Sequence, residues 1–294
     1  MNYANTVYEI SKSFMDDPLF VTIDFEEMEN VADQMIENGS PKFTLPKIQN
    51  IQKGILLELV AASVNYCYWY GKSTIRPLQS NSTKMYKLLL QAFAHYSIPN
   101  SFGRTGQKFE DCIKQFSILL SQNRFPLIEQ RIKHLEELVN NDAEQFSISI
   151  LTDYKNNKLN LNNLMSKLIS YYPGFASDLF LKRASLFFIQ LFRRFGWFQN
   201  DLHSLHVPAD YQIPKMLEYF GCIQYDDSLK GAIEYSSPIA SGSIAECEIR
   251  AATILSIKRL CELTGWNVAE VDAFFFLQRH KTINPFHLTI TTDY

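Results

Sequence analysis

The amino-acid sequence predicts a mainly α-helical protein with a few short strands. Three observations carry that reading. Long stretches repeat apolar residues at three- and four-residue spacing, the period of a helix with one buried face. Helix-start and helix-stop signals recur along the second half. Two-residue alternation, the mark of a half-buried strand, shows only in the closing stretch FHLTITTDY.

Residues 1–50 read as a helical arm followed by a polar, proline-containing connection, NGSPKFTLPK. Helical spacing then covers 51–70, 84–96, 109–121 and 126–146. The Asn-rich stretch 153–166 reads as a surface loop or as a boundary. We expect one compact domain over 1–294, with two lobes, 1–150 and 167–294, as the alternative. A helix over 179–195 follows the turn YPGF, and Gly196 stands where a C-cap glycine belongs. Ser243 to Glu246, S-I-A-E, reads as a capping box opening a helix that stops near Gly265. Asn267 with Glu270 opens another.

Composition narrows the chemistry. With 46% hydrophobic residues among 294, the chain can build a sizeable core, and its net charge is -3. No block of five or six basic residues occurs, which argues against a stable nucleic-acid complex, while a single nucleotide needs only a few cations. The cysteines number 5, none in a CxxC pair, which argues for a reducing compartment and against a disulfide framework or structural zinc. The start MNYANTVYEISKSFMDD lacks a basic-then-apolar leader pattern, and no stretch reaches the length of a membrane span. A cytoplasmic protein is the expectation. P-loop, dinucleotide, HExxH and GxSxG motifs are absent. We therefore expect no metal and no cofactor, but carboxylate and amine chemistry in a cleft lined with aromatics.

Polar residues on apolar helix faces are the candidates for that chemistry. Arg250 shares its face with Ile254, Ile257 and Cys261, with Glu246 one turn before it. Glu248 falls toward Ala252 and Leu255. Asp272 lies with Val268, Phe275 and Phe276. Lys182 lies with Leu186 and Ile189, and Asn65 with Ala61, Ala62 and Trp69. Each has a bland alternative. Glu246 reads as a cap. Arg250 and Asp272 suit a buried ion pair as well as a ligand role. Asn65 can satisfy a backbone group, and Lys182 can snorkel to water. The stretch HVPADYQIPKMLEYFG (206–221) sets Asp210 and Tyr211 in the turn before a helix, with Pro214 in a helix-starting position. Ile213, preceding a proline, is biased away from helical dihedrals. Asp210 is either a helix cap or a fixed carboxylate for a reaction that develops positive charge, such as cleavage of an N-glycosidic bond.

Seven blocks in order carry a resemblance over nearly the whole chain. They are VNYCYW (64–69), FPLIEQRIKHLEEL (125–138), LKRASL (181–186), ADYQIPKML (209–217), ECEIRAA (246–252), VDAFFFLQR (271–279) and PFHLTITTDY (285–294). With them the chain resembles the queuosine salvage proteins, the queuosine 5'-phosphate N-glycosidases. The resemblance implies hydrolysis of queuosine 5'-monophosphate to queuine and ribose 5-phosphate, no metal, and a helical fold related to the helix-hairpin-helix DNA glycosylases. The order Pro173-Gly174, Lys182, Val207-Pro208-Ala209-Asp210 echoes those enzymes. It also implies a catalytic aspartate in D-Y-x-x-P and a lysine in K-R-A, positions held here by Asp210 and Lys182. Tyr211, Tyr66 and Trp69 are then candidates to stack on the base. Asn65, Glu248 and Asp272 are candidates to read its donor edge, and Arg250 and His287 to hold the 5'-phosphate. A glycosidase for another modified nucleotide and a non-catalytic nucleotide-binding helical protein are the alternatives.

Overall fold

The computed structural model describes residues 2–46, 48–69, 81–97 and 106–294. Thirteen α-helices and one small antiparallel sheet stand among the described residues. The chain divides into two compact units. One comprises Met1–Leu45 with Asp178–Tyr294, and the other Pro46–Ser177.

The first unit contains α1 (Tyr3–Phe14), β1 (Val21–Ile23) and α2 (Phe25–Asn38), then α9 (Lys182–Phe195), α10 (Gln212–Tyr219), β2 (Ile223–Tyr225), α11 (Asp227–Glu234), α12 (Ile244–Thr264) and α13 (Val268–Gln278). The second holds α3 (Ile51–Ser63), α4 (Ser82–Ala92), α5 (Phe109–Gln122), α6 (Ile128–Asn140), α7 (Ala143–Lys155) and α8 (Leu161–Tyr171). The expected helical arm at residues 1–50 is two helices with a strand between them. That strand, β1, pairs antiparallel with β2, Thr22 opposite Gln224.

Local signals explain most boundaries. Asn2, Asp24, Asn50, Asn81, Asn160 and Asp226 each cap a helix by accepting an N–H from its first turn, satisfying a donor the helix cannot. Asn267 and Glu270 form the full capping box. At Ser243 only half of it forms. The hydroxyl accepts from Glu246 N–H, but the Glu246 carboxylate turns to Gly242 N–H instead. Gly196 and Gly265 close α9 and α12 at left-handed φ of 73° and 72°, where a side chain would be strained.

Several expectations need correction. The helix expected over 51–70 ends at Ser63, and Tyr70 lies outside the described residues. The segment 126–146 is two helices, because Asp142 adopts φ 48° and caps α7 by accepting Gln145 N–H at 3.0 Å. Short polar side chains tolerate that left-handed conformation better than others. The Asn-rich stretch 153–166 becomes the end of α7, a turn and the start of α8, all within the second unit. Ile213 is helical although Pro214 follows it. FHLTITTDY is not a strand. Its contact with another extended segment is an isolated bridge between Leu288 and Pro238, and residues 286–289 are buried in succession rather than alternately.

α12 is the spine of the first unit. It is buried on nearly every side and packs against α1, α2, β1, α10 and α13. A helix buried all round must find partners for every charge it carries. Glu248 shows how. Its carboxylate accepts the backbone N–H groups of Leu19 (2.9 Å), Phe20 (2.7 Å) and Val21 (3.1 Å), anchoring the start of β1. This is a structural use of both oxygens, and it removes Glu248 from the set of base-reading candidates. No helix among the described residues is long and apolar enough to cross a membrane.

Glu248→Gln places an amide N–H₂ against backbone donors and removes charge-assisted bonds. It should cost about 2–3 kcal/mol and lower the melting temperature by about 5–10 °C. Glu262→Gln, at an exposed position of the same helix, should leave it unchanged. Equal melting temperatures for the two variants would refute the anchoring role.

Candidate active site

The site is built where α9 begins. The helix opens with Lys182, and its first donors need acceptors. Asp178 supplies them. Its Oδ1 accepts from Phe180 N–H at 3.0 Å and its Oδ2 from Lys182 N–H at 2.7 Å. Leu181 between them sits at φ 48°, a left-handed conformation that a leucine adopts at a cost on the order of 1 kcal/mol. The turn is therefore held by its contacts rather than by preference.

Lys182 does not snorkel; it is 1% exposed. Burial pulls its ammonium down to about 8, from the usual 10.5. Asp210 and Asp178 act to keep the charge, and Arg183 and Arg250 act against it. Lysine and aspartate, distant in sequence, thus act on each other electrostatically.

Asp210 lies two residues before α10. Its Oδ1 accepts Gln212 N–H at 2.7 Å, so the cap reading is correct for one oxygen, though the cap position itself is Tyr211. Burial raises its carboxyl above the ordinary value. Lys182 and the Gln212 and Ile213 N–H groups hold it down, and Asp272 raises it further. The residue keeps partial exposure while the residues on both sides of it are buried.

Arg250 reaches both segments. Nη2 bonds Asp178 Oδ2 at 2.7 Å, Nη1 meets Glu246 Oε1 at 3.4 Å, and Nε donates to the Ala209 carbonyl at 3.2 Å. Its guanidinium lies 4.7 Å from the Phe180 ring centroid and 4.4 Å from that of Tyr294. Burial pushes the Asp178 carboxyl up, but Arg250 and the two N–H groups outweigh it and hold it below the usual carboxylate range. Each nitrogen of Arg250 donates inside the protein, so it organises the site rather than presenting itself to a phosphate. His287 joins the same cluster through Tyr294, Nε2 to Oη at 3.0 Å. Burial and Arg250 push it down to about 3, so it is neutral at pH 7 and offers no charge to an anion.

Arg250 and Asp272 do not pair with each other. Asp272 Oδ2 takes Arg193 Nη2 at 2.7 Å, and the Arg193 guanidinium lies 4.5 Å from the Phe43 ring centroid. Tyr211 stacks on Phe286 with centroids 4.5 Å apart and planes at 28°.

Asn65, Tyr66 and Trp69 belong to the second unit. They follow α3 rather than sharing its face. The buried Arg131 shapes that segment by donating to the carbonyls of Val64, Tyr66 and Cys67, with its guanidinium 4.3 Å from the Tyr66 ring centroid. Tyr66 Oη meets His134 Nδ1 at 3.2 Å, and Trp69 is buried.

Asp178, Arg193 and His206 are the residues sequence reasoning misses. The apolar period that starts a helix at 179 hides Asp178, although Ser-Asp before a helix is a capping signal. His206 is buried, and its carbonyl accepts from Ser185 Oγ on α9. Burial pushes its ring down to about 4, against Asp178 and the nearby Leu181 and Phe180 carbonyls. Its sequence neighbourhood carries no signal for that.

The model of the family described as queuosine salvage protein matches residues 49–276, a range containing Asp178, Lys182, Asp210, Arg250 and Asp272. The chain belongs to the queuosine salvage protein family. It is similar to proteins named queuosine 5'-phosphate N-glycosylase/hydrolase. With the one from Dictyostelium discoideum it is 29% identical over 197 residues, 58% of this chain and 59% of that protein. With the one from Sphaerobacter thermophilus it is 25% identical over 232 residues, 74% of this chain and 71% of that one. With the one from Mus musculus it is 26% identical over 155 residues, 47% and 46%. The chain thus spans less than two thirds of the Dictyostelium and mouse proteins. His287 and Tyr294 lie beyond the queuosine salvage match, yet in the structure they close around its Arg250.

The two neutral histidines make stability depend on pH. Both fold with values well below the ordinary 6.5, so the unfolded chain binds their protons first. The stability they contribute is complete above that ordinary value and is lost as pH falls toward about 4 for His206 and about 3 for His287. Between about pH 6 and pH 4.5 the two should give a slope on the order of 2 kcal/mol per pH unit, and His287→Gln should remove about half of it. Urea unfolding across that range measures it; parallel slopes for parent and variant would refute a neutral buried His287.

Proposed function

We propose that the chain hydrolyses the N-glycosidic bond of queuosine 5'-monophosphate, releasing queuine and ribose 5-phosphate, and so salvages the base for tRNA modification. The observation that carries this reading is a partly exposed carboxylate, Asp210, and the buried ammonium of Lys182, which act on each other electrostatically inside one unit. Relatives named for this reaction support the choice of substrate. Kinship with the helix-hairpin-helix glycosylases, read from the order of the proline-glycine turn, lysine and aspartate, is part of the same proposal.

The base of this substrate is a 7-deazaguanine. Carbon replaces N7, so the leaving group cannot be activated by protonation there. Catalysis then falls on the sugar, which passes through an oxocarbenium-like state. Asp210, ionised and fixed by Gln212 N–H, stabilises positive charge at C1' and accepts a proton from the attacking water. Lys182 holds the carboxylate in its charged form and in place. Its full commitment to a covalent Schiff base is unnecessary, because simple hydrolysis does not need one. Tyr211, braced by Phe286, offers an aromatic wall to the base. Asp272, anchored by Arg193, has an acceptor suited to a guanine-like donor edge.

Purified protein incubated with queuosine 5'-monophosphate, queuosine and GMP, chelator present, should release base from the first and little from GMP. Asp210→Asn should lose about two decades of turnover or more with its circular dichroism unchanged. The rate should rise with pH as Asp210 ionises and fall as pH passes about 8, where Lys182 loses its proton. Near-parental turnover by Asp210→Asn would sink the assignment. Base release from none of the three would sink the substrate.

A further inference from the structure

We propose that Asp178 is a positioning residue of the reaction: through the backbone of Lys182 and through Arg250 it locks the segment bearing Lys182 to the segment bearing Asp210. The inference rests on the reading of those two residues as the reacting pair.

The geometry is a short chain of contacts. Asp178 Oδ2 accepts both Lys182 N–H and Arg250 Nη2, each at 2.7 Å. Arg250 Nε donates to the Ala209 carbonyl at 3.2 Å, and that carbonyl belongs to the peptide bond that leads into Asp210. A second tie runs parallel, from Ser185 Oγ on α9 to the His206 carbonyl. Oδ1 meanwhile fixes Phe180 N–H at 3.0 Å, holding the left-handed turn at Leu181 in place.

A helix cap alone does not require this arrangement. The caps at Asn2, Asn50 and Asn160 serve their helices from exposed positions with neutral amides. Asp178 is charged, 1% exposed and paired with a buried arginine. A buried ion pair brings little stability over an apolar substitute. Its distinctive property is that it fixes two segments in one register with directional bonds. The groups that bear on the Lys182 ammonium are Asp210, Arg183, Arg250 and Asp178. Asp178 offsets the repulsion from the two arginines as well as holding the backbone.

The test uses Asp178→Asn and Arg250→Lys in the full chain, with two readouts. Steady-state hydrolysis of queuosine 5'-monophosphate is followed against pH. The 13Cε resonance of Lys182, assigned with Lys182→Arg, is titrated by NMR in protein labelled at lysine. Asp178→Asn should lower kcat by about tenfold to a hundredfold, with KM changed less than about threefold, because a misplaced pair loses turnover more than binding. Its alkaline limb and the Lys182 midpoint should both move below about 8, since the ammonium then loses the negative charge of Asp178 while Arg250 stays nearby. Arg250→Lys keeps the charge but releases the Ala209 carbonyl, so kcat should fall while the Lys182 midpoint stays near its parental value. A folded Asp178→Asn variant with the parental Lys182 midpoint would reduce Asp178 to a structural cap. If that variant does not fold, parental kcat in Arg250→Lys overturns the proposal. If the parent itself releases no base, the glycosidase reading has failed, and the NMR titration still decides whether Asp178 sets the state of Lys182.

Discussion

The ion pair between Arg250 and Asp178 is the interaction on which the first unit depends. Both partners are buried, so each must be neutralised and hydrogen-bonded or the fold loses several kcal/mol. Meeting that demand organises everything nearby. Asp178 uses its remaining capacity on the start of α9, and Arg250 uses its remaining donors on Glu246 and the Ala209 carbonyl. The rings of Phe180 and Tyr294 near the guanidinium add cation–π attraction to its buried charge. Removing either partner would leave the other charge buried with only its remaining bonds to hold it, so the pair is conditionally stabilising. The two segments it joins are those that carry Lys182 and Asp210.

Against that rigid frame, Lys182 and Asp210 are poised rather than satisfied. Burial moves the lysine down and the aspartate up, each toward neutrality, while their mutual attraction resists both shifts. Both groups are displaced toward neutrality, whereas Asp178 and Arg250 are held firmly charged. The contrast separates scaffold from machinery: the network that fixes position is fully paired, and the pair it positions is held at a cost. Strongly perturbed groups beside a structural ion pair are the pattern that marks a candidate functional site.

What was legible in the sequence follows the range of the physics. The caps at Asn267 and Ser243 and the stop at Gly196 depend on neighbours three or four residues away, and reading them locally succeeds apart from the half-formed box at Ser243. Asp210 is legible because a proline-bounded turn before a helix is a local event. Glu246, one turn before Arg250, is legible as its partner in the same way, but the partners that Arg250, Glu248 and Asp272 find elsewhere in the chain are not. Asp178 lies 72 residues from Arg250, Arg193 lies 79 from Asp272, and the N–H groups on Glu248 lie 227 to 229 away. Face patterning correctly marks these side chains as buried charges, but a buried charge looks the same in sequence whether it serves a ligand or the backbone. Lys182 misleads for the opposite reason. Its long stem makes snorkelling plausible anywhere, and only the surrounding packing removes the route to water.

The identity of residue 182 as lysine then has a physical sense. An arginine there would remain charged at any attainable pH and would offer a planar fork of donors, suited to gripping a carboxylate in two bonds. Such a grip would draw electron density from Asp210 and oppose its attraction for a sugar cation. The lysine head is a compact charge whose hold weakens as its value falls to about 8. In the proposed hydrolysis its attraction favours the charged carboxylate, yet competes less for it once positive charge grows at the sugar. Arg183, the next residue, is also buried, so the fold admits a guanidinium in this region. On the proposed function, the choice of lysine at position 182 follows from the chemistry of the two groups.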